Sequence, residues 1–316
     1  MFDRNQLEAF AAVVEHRSFE QAASALHLTR GAVSQRIKAL EETLSTVLLI
    51  RNRPVLPTPA GEVMLRHVKA LRLLEHDVHA RLSGGLSVQE RTPVTVGINA
   101  DSLATWFADC ANTLLAELPI ALEIVVDDQD HTRPMLLRGE VTGCVCTEPT
   151  PAQGFQAAPL GMMEYRCVAT RAFASRHFPN GLTPHEVPTA PAVLFNRKDS
   201  LHDDFLGMLF GVQLKQYVRH YFPSPVALLG AIAQGSGYGL VPLVQIQSHP
   251  IHEQLVDLAP HRGLSVPLYW HHWDQEPMLA RQLTERVVAF ARTALASTPQ
   301  PPASPPIASA VPRESA

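Results

Sequence analysis

Nowhere in this 316-residue chain do about 18 apolar residues follow one another, the run that a membrane-spanning helix needs. Asp3, Arg4 and Glu8 fall where a secretory signal requires an unbroken apolar core, so a cytoplasmic location and no membrane partner are expected. Cysteine is scarce: Cys110, Cys144, Cys146 and Cys167 show no paired CxxC spacing, which argues against a structural zinc site or a disulfide framework and suits small buried hydrophobes. His249, His252, His271 and His272 lack the HExxH spacing of hydrolytic zinc, and GSGYG at 235–239 lacks the Lys-Ser/Thr ending of a phosphate loop. No Ser, His and Asp arrangement stands out. The expectation is a non-enzyme with no metal and no cofactor. A positive excess is missing too, since the formal charge is −4. That disfavours a protein coating nucleic acid with its whole surface, but leaves room for a local basic element.

What is present begins with helical periodicity. Leu7, Phe10, Ala11 and Val14 recur at i, i+3, i+4 and i+7, and Phe19, Ala22, Ala23 and Leu26 repeat the pattern after His16-Arg17. Ser18 and Gln21 have capping-box spacing. A third series, Val33, Ile37, Leu40 and Leu44, follows a short turn with Thr29 as its N-cap. Helix, turn, helix is the expected result. LLIRNRPVLPTP, 48–59, reads as a tight hairpin or wing. Thr58 then caps a long helix with Pro59 at its first position, striped by Met64, Val68, Leu71, Leu74, Val78 and Leu82. Such a stripe calls for a partner, or for burial against the rest of the chain.

SGG at 83–85 ends that helix, and the texture becomes α/β. VTVGINA, LEIVVDD, GCVCTE, YRCVAT, AVLFN and LYWHHW read as strands, with helices over 102–117, 132–139, 199–210, 225–234 and about 277–296. Parallel sheets are expected. The closing STPQPPASPPIASAVPRESA has the composition of a disordered tail.

On the helix 30–44, Val33, Ile37, Leu40 and Leu44 share one arc. Gly31, Ser34, Gln35 and Lys38 project opposite, with Arg30 and Arg36 flanking. The first two turns thus offer donors and acceptors where a recognition helix reaches base edges. Solvated polar residues are the plain alternative. Local charge favours reading: over 30–72, Arg30, Arg36, Lys38, Arg51, Arg53, Arg66, Lys69 and Arg72 oppose only Glu41, Glu42 and Glu62, a net of +5. Arg51 and Arg53 on the wing suit phosphate contacts, which position without reading sequence.

AASALHLTRGAVSQRIKALEETL resembles the N-terminal domain of LysR-type transcriptional regulators through Ala23, Leu26, Thr29, Ala32-Val33-Ser34, Ile37 and Leu40-Glu41. Arg30-Gly31 departs from the Gln-Ser or Pro-Ser frequent there, which bears on base preference and not on fold. The resemblance implies an α/β fold overall. A winged helix-turn-helix would occupy 1–58, a linker helix pairing with a second subunit 59–85, and a two-lobed effector domain like the periplasmic binding proteins 92–296. Lobe I would hold about 92–160 and 265–296, lobe II about 161–264, and 297–316 would be the tail. It implies promoter or operator double-stranded DNA as partner, a small-molecule effector, a homodimer or homotetramer, and contact with RNA polymerase. Thr29, Arg30, Ser34, Gln35, Arg36, Lys38, Arg51 and Arg53 are the candidate DNA contacts.

Ligands of α/β lobes collect at carboxyl ends of strands and at helix starts. Asp101, Ser102 and Thr105 lie at such a junction, where Ser102 could hold a carboxylate. Asp127, Asp128 and Asp130 end one strand, and Thr147 and Glu148 another. Asp128 and Glu148 are candidates for ligand amino groups, unless these acids simply edge solvated loops. NADSLATW, VVDDQDHT, VCTEPTPAQG, FNRKDSL and VPLYWHHW are similar to the ArgP/LysG branch, the regulators of basic amino-acid export. That branch implies lysine, arginine or histidine as effector, with Asn196, Asp199 and Ser200 facing the cleft from lobe II and Trp270 and His271 where the chain returns to lobe I. Two other readings stay open: a replication-origin or nucleoid binding protein, and an amino-acid receptor without promoter specificity.

Overall fold

The computed structural model describes residues 2–82, 91–127, 129–212, 214, 216–260 and 262–295. Its head contains α1 (Arg4–His16), α2 (Phe19–Ala25) and α3 (Arg30–Leu44). Each starts where a side chain satisfies an otherwise unpaired N–H. Asp3 accepts from the Gln6 amide, Ser18 from Gln21 and Thr29 from Ala32. Phe10, Val13, Val33, Ile37 and Leu40 are wholly buried between the three helices. The proline-rich segment forms the hairpin β1 (Leu49–Ile50) and β2 (Leu56–Pro57), antiparallel with Leu49 opposite Pro57.

Thr58 ties this wing to α4 (Pro59–Leu82). Its hydroxyl accepts from the Gly61 amide at 3.1 Å and donates to the Val47 carbonyl at 2.7 Å. Gly61 passes so near the wing that a Cβ there would lie 2.1 Å from the Leu48 carbonyl oxygen. The apolar stripe of α4 divides along its length. Met64 and Val68 are buried against the chain's own head, while Leu74, Val78 and Leu82 stand 50%, 55% and 81% exposed.

The body follows as β3 (Thr92–Ile98), α5 (Ala100–Ser102), a π turn (Leu103–Phe107), α6 (Ala108–Glu117), β4 (Ile120–Val126), α7 (Gln129–Leu137), β5 (Gly143–Cys146) and β6 (Phe155–Thr170). Then come α8 (Arg171–His177), β7 (Ala192–Leu194), α9 (Leu201–Phe210), β8 (Arg219–Tyr221), α10 (Pro225–Ala233) and β9 (Gly239–Pro242). The last elements are α11 (Leu243–Ser248), β10 (Leu255–Asp257), β11 (Leu264–Trp273) and α12 (Met278–Ala294). A seven-stranded sheet runs β10-β6-β11-β5-β3-β4, with β9 also on β6, and β7 pairs with β8 separately.

The expectation of parallel sheets needs correcting, because this sheet is mixed. β3 pairs in parallel with β4 and β5, while β11 pairs antiparallel with β6 along its whole length. β6 also begins ten residues before the expected YRCVAT. Pro159 and Gly161 hide its alternation: the ladder shifts register opposite Leu268 and Tyr269, and Gly161 has φ 140°, which a side chain would resist. The helix expected over 132–139 starts earlier, at Gln129. The four cysteines are buried and free. The glycine stop at 83–85 and the tail at 297–316 lie outside the described residues.

Candidate functional site

Two surfaces concentrate the candidate residues. On the head, burial of Val33, Ile37 and Leu40 turns the opposite face of α3 to solvent. Thr29, Arg30, Gln35 and Lys38 are exposed there, and Ser34 and Arg36 partly so. The charges are held only by solvated pairs: Arg30 with Glu20 at 3.2 Å and Lys38 with Glu42 at 3.6 Å. Such pairs are weak, so both cations can be recruited by phosphate. Arg51 is more committed, meeting Glu41 at 2.9 Å and lying 5.9 Å from the centroid of the Phe19 ring. Glu41 also accepts from the Leu48 amide at 2.9 Å, which joins the wing to the reading helix. Arg53 is exposed on the wing.

In the body, β3 ends at Ile98, and the Asn99 side chain caps the next turn by accepting from the Ser102 amide at 3.0 Å. This directs Asp101 inward, where its carboxylate accepts from the Tyr165 hydroxyl at 2.6 Å. Burial pushes Asp101 up to about 6; the Tyr165 hydrogen bond opposes the rise and the neighbouring charge of Asp199 adds to it. Asp101 and Asp199 line one small pocket, about 30 Å³, together with Tyr165, His202 and Gln245. That volume suits a single water-sized group and not an amino acid, so a larger ligand requires the walls to part.

Unused polarity gathers here. His202 is buried with no partner on either ring nitrogen, and burial holds its pKa down to about 4. Gln245 donates to the Pro225 carbonyl at 3.0 Å, but its side-chain oxygen has no partner. The Ser102 hydroxyl, next in sequence to Asp101, is wholly buried and equally unmatched, but Ser102 does not line this pocket. Each such group costs about 1–3 kcal/mol until something pairs with it.

The other candidates fall elsewhere. Asn196 accepts from the amides of Lys198 and Asp199 at 2.7 and 2.9 Å, shaping the loop that carries Asp199. Ser200 donates to Asp204 at 2.7 Å at the exposed start of α9. Thr147 and Glu148 do not line the pocket; Glu148 is exposed, and its backbone oxygen contacts His271 Nε2 at 2.7 Å. Trp270 is a clear correction. It is fully buried, covers Gly143 where a Cβ would lie 2.2 Å from its ring, and donates to Thr284 at 3.0 Å, because β11 turns that face towards α12. Asp128 lies outside the described residues. Tyr165, His202 and Gln245 carry no local motif that would have announced them.

Comparison with known proteins agrees with this architecture. The bacterial regulatory helix-turn-helix protein model of the lysR family matches residues 4–62, and the LysR substrate binding domain model matches residues 87–292. The chain belongs to the LysR family. This LysR-family chain is 38% identical over 293 residues to the HTH-type transcriptional regulator ArgP of Aeromonas salmonicida, covering 93% of the chain and 98% of the relative. Among solved structures, ArgP from Mycobacterium tuberculosis superposes with a TM-score of 0.83 at 35% identity, covering 95% of the chain and 100% of that structure. LysG from Corynebacterium glutamicum with bound arginine superposes at 0.76 and 31% identity, covering 93% and 99%. The winged head and the α/β body are therefore the DNA-binding and substrate-binding domains of a LysR-type regulator. No described helix is long and apolar enough to cross a membrane, and no described group of His, Cys, Asp or Glu is arranged to hold a metal ion.

Proposed function

We propose that this regulator senses a basic amino acid, arginine or lysine, and controls a promoter such as that of an amino-acid exporter. The observation that carries the reading is the pair of carboxylates, Asp101 from the start of α5 and Asp199 from the loop before α9, on one pocket. Two acids in a desolvated site repel each other until a cation lies between them. A guanidinium or ammonium group would supply that charge, and its N–H donors would also reach the unmatched oxygen of Gln245. Ser102 Oγ would then face the ligand carboxylate. The solved complex of LysG with arginine supports the same class of ligand.

Binding switches the protein only if the two arrangements of the lobes differ in affinity for the ligand. We place lobe I at about 92–160 with 265–296 and lobe II at about 161–264, so that a cation joining Asp101 to Asp199 draws the lobes together. The exposed half of α4 is the surface through which two chains pair, with tetramers built on that dimer. A protein that reads promoter DNA and carries no catalytic group in this reading is a cytoplasmic regulator and not an enzyme. The test is a thermal-shift screen of the twenty amino acids on the full chain, followed by operator binding with the hit. Arginine or lysine should give the largest rise in Tm; a flat profile overturns the effector assignment.

A further inference from the structure

A larger cavity, about 530 Å³, lies away from the effector pocket where three parts of the chain meet: the end of α1, the middle of α4 and the outer face of β3 and β4. Its size is that of a small-molecule site, and junctions between domains are where such sites are commonly found. Its polar groups are unequally satisfied. Each acid on the wall already has a donor: Glu15 holds Arg72 at 2.7 Å, Glu123 accepts from the Thr95 hydroxyl at 2.9 Å, and Glu140 is held by Arg138 at 2.9 Å. Lys69 is different. Its ammonium donates to the backbone oxygen of Glu140 at 2.7 Å and, among the described residues, meets no carboxylate within salt-bridge distance, although an ammonium carries three donors. Burial weakens its hold on the proton despite the nearby charges of Glu15, Glu140 and Glu123. Thr92, also on the wall, buries its hydroxyl oxygen with no partner.

We infer that this cavity is a second ligand site, taking a small monocarboxylate that also carries hydroxyl or amino groups. The carboxylate fills the open donors of Lys69, and the ligand's own donors meet Thr92 Oγ1 and the remaining lone pairs of Glu123. Arg17, Lys69 and Arg72 on the same wall only balance Glu15, Glu123 and Glu140, which leaves no net positive charge to hold a polyanion, and a cavity lined by charges turns away apolar molecules. Because the walls come from the head, the connecting helix and the sensing body, an occupant holds those three parts in one relation and acts on DNA binding independently of the effector pocket.

The test uses the full chain and two probes, D-gluconate for a hydroxy acid and L-serine for an amino acid, with citrate as the polyanion. Calorimetry should show saturable binding of gluconate or serine and none of citrate. The affinity should fall tenfold or more in Lys69→Gln and at least threefold in Thr92→Val. Reductive methylation followed by peptide mass spectrometry should show Lys69, but not the exposed Lys38, protected by the bound probe. Failure of both probes to saturate, equal binding by both variants, or no protection of Lys69 overturns the inference. Thr92→Val and the methylation footprint decide the matter if Lys69→Gln does not fold.

Discussion

The head and the sensing body solve recognition in opposite ways. On the head, the groups proposed to meet DNA are solvated and lightly paired, as with Arg30 on Glu20 and Lys38 on Glu42. In the body, the groups proposed to meet a ligand are buried, and His202 and Gln245 on the pocket carry unmatched atoms. DNA is a large polyanion whose affinity comes from many exchangeable surface contacts. A small ligand offers few contacts, so each must be made in a dry site where a missing partner is costly. In the proposed reading the head therefore keeps its stability when unbound, while the body carries unpaired buried polarity for its ligand to relieve.

Breaking the body's side of this contrast should have the largest effect. Asp101→Asn keeps the shape but removes one of the two charges, and arginine binding measured by calorimetry should weaken by about 100-fold or more, in line with the roughly 3–5 kcal/mol of a broken buried pair. The same variant should bind operator normally in the absence of effector; loss of that binding would mean that Asp101 supports the fold and not the ligand. Next come Gln35→Ala and Arg36→Ala on the reading helix. Losing one base contact costs about 1–3 kcal/mol, so operator affinity by fluorescence anisotropy should fall roughly 5- to 150-fold while binding to random DNA changes little.

The effect of pH is smaller and separates the two regions again. Asp101 titrates near 6 in the free protein, and a cationic ligand requires its ionised form. Affinity for arginine should therefore fall about tenfold from pH 7 to pH 5, and His202, held down to about 4, stays neutral across that window. Asp101's own contribution to stability without ligand moves the other way, and that of buried His202, held down to about 4, opposes it over the same interval. The pKa of Asp101 is raised from 3.8 in folding, so at that group the folded state binds the extra proton and gains stability as pH falls from about 6 towards 4. A pH dependence of Tm over that interval that is the same in wild type and in Asp101→Asn would remove Asp101 as the cause. The smallest effect is expected from Arg51→Ala. It should weaken all DNA sequences alike and lower the salt slope by about one, since Arg51 is already shared with Glu41.

How legible each region was follows from the same physics. The head announces itself locally: caps at Ser18 and Thr29 and the helical spacing of Val33, Ile37 and Leu40 act within a few residues. The body's site is assembled from afar, with Asp101 and Tyr165 separated by 64 positions. Of the residues that line the pocket, Asp199 was named through its resemblance string, while Tyr165, His202 and Gln245 had no such signal; Ser102, named because helix starts attract anions, does not line it. Trp270 misled because an alternating strand tells that two faces exist but not which one meets the core. The effector domain's antiparallel pairing was hidden by Pro159 and Gly161, which interrupt the very alternation that reveals a strand.

The proposed pairing through the divided face of α4 would make this protein a gauge of its own abundance. In that pairing the exposed Leu74, Val78 and Leu82 are covered only when another chain is at hand, and an operator with two half-sites is held strongly only by a paired reader. Where subunits are scarce, occupancy of such an operator rises with the square of their number, so a modest change in synthesis becomes a sharp change in transcription before any amino acid is sensed.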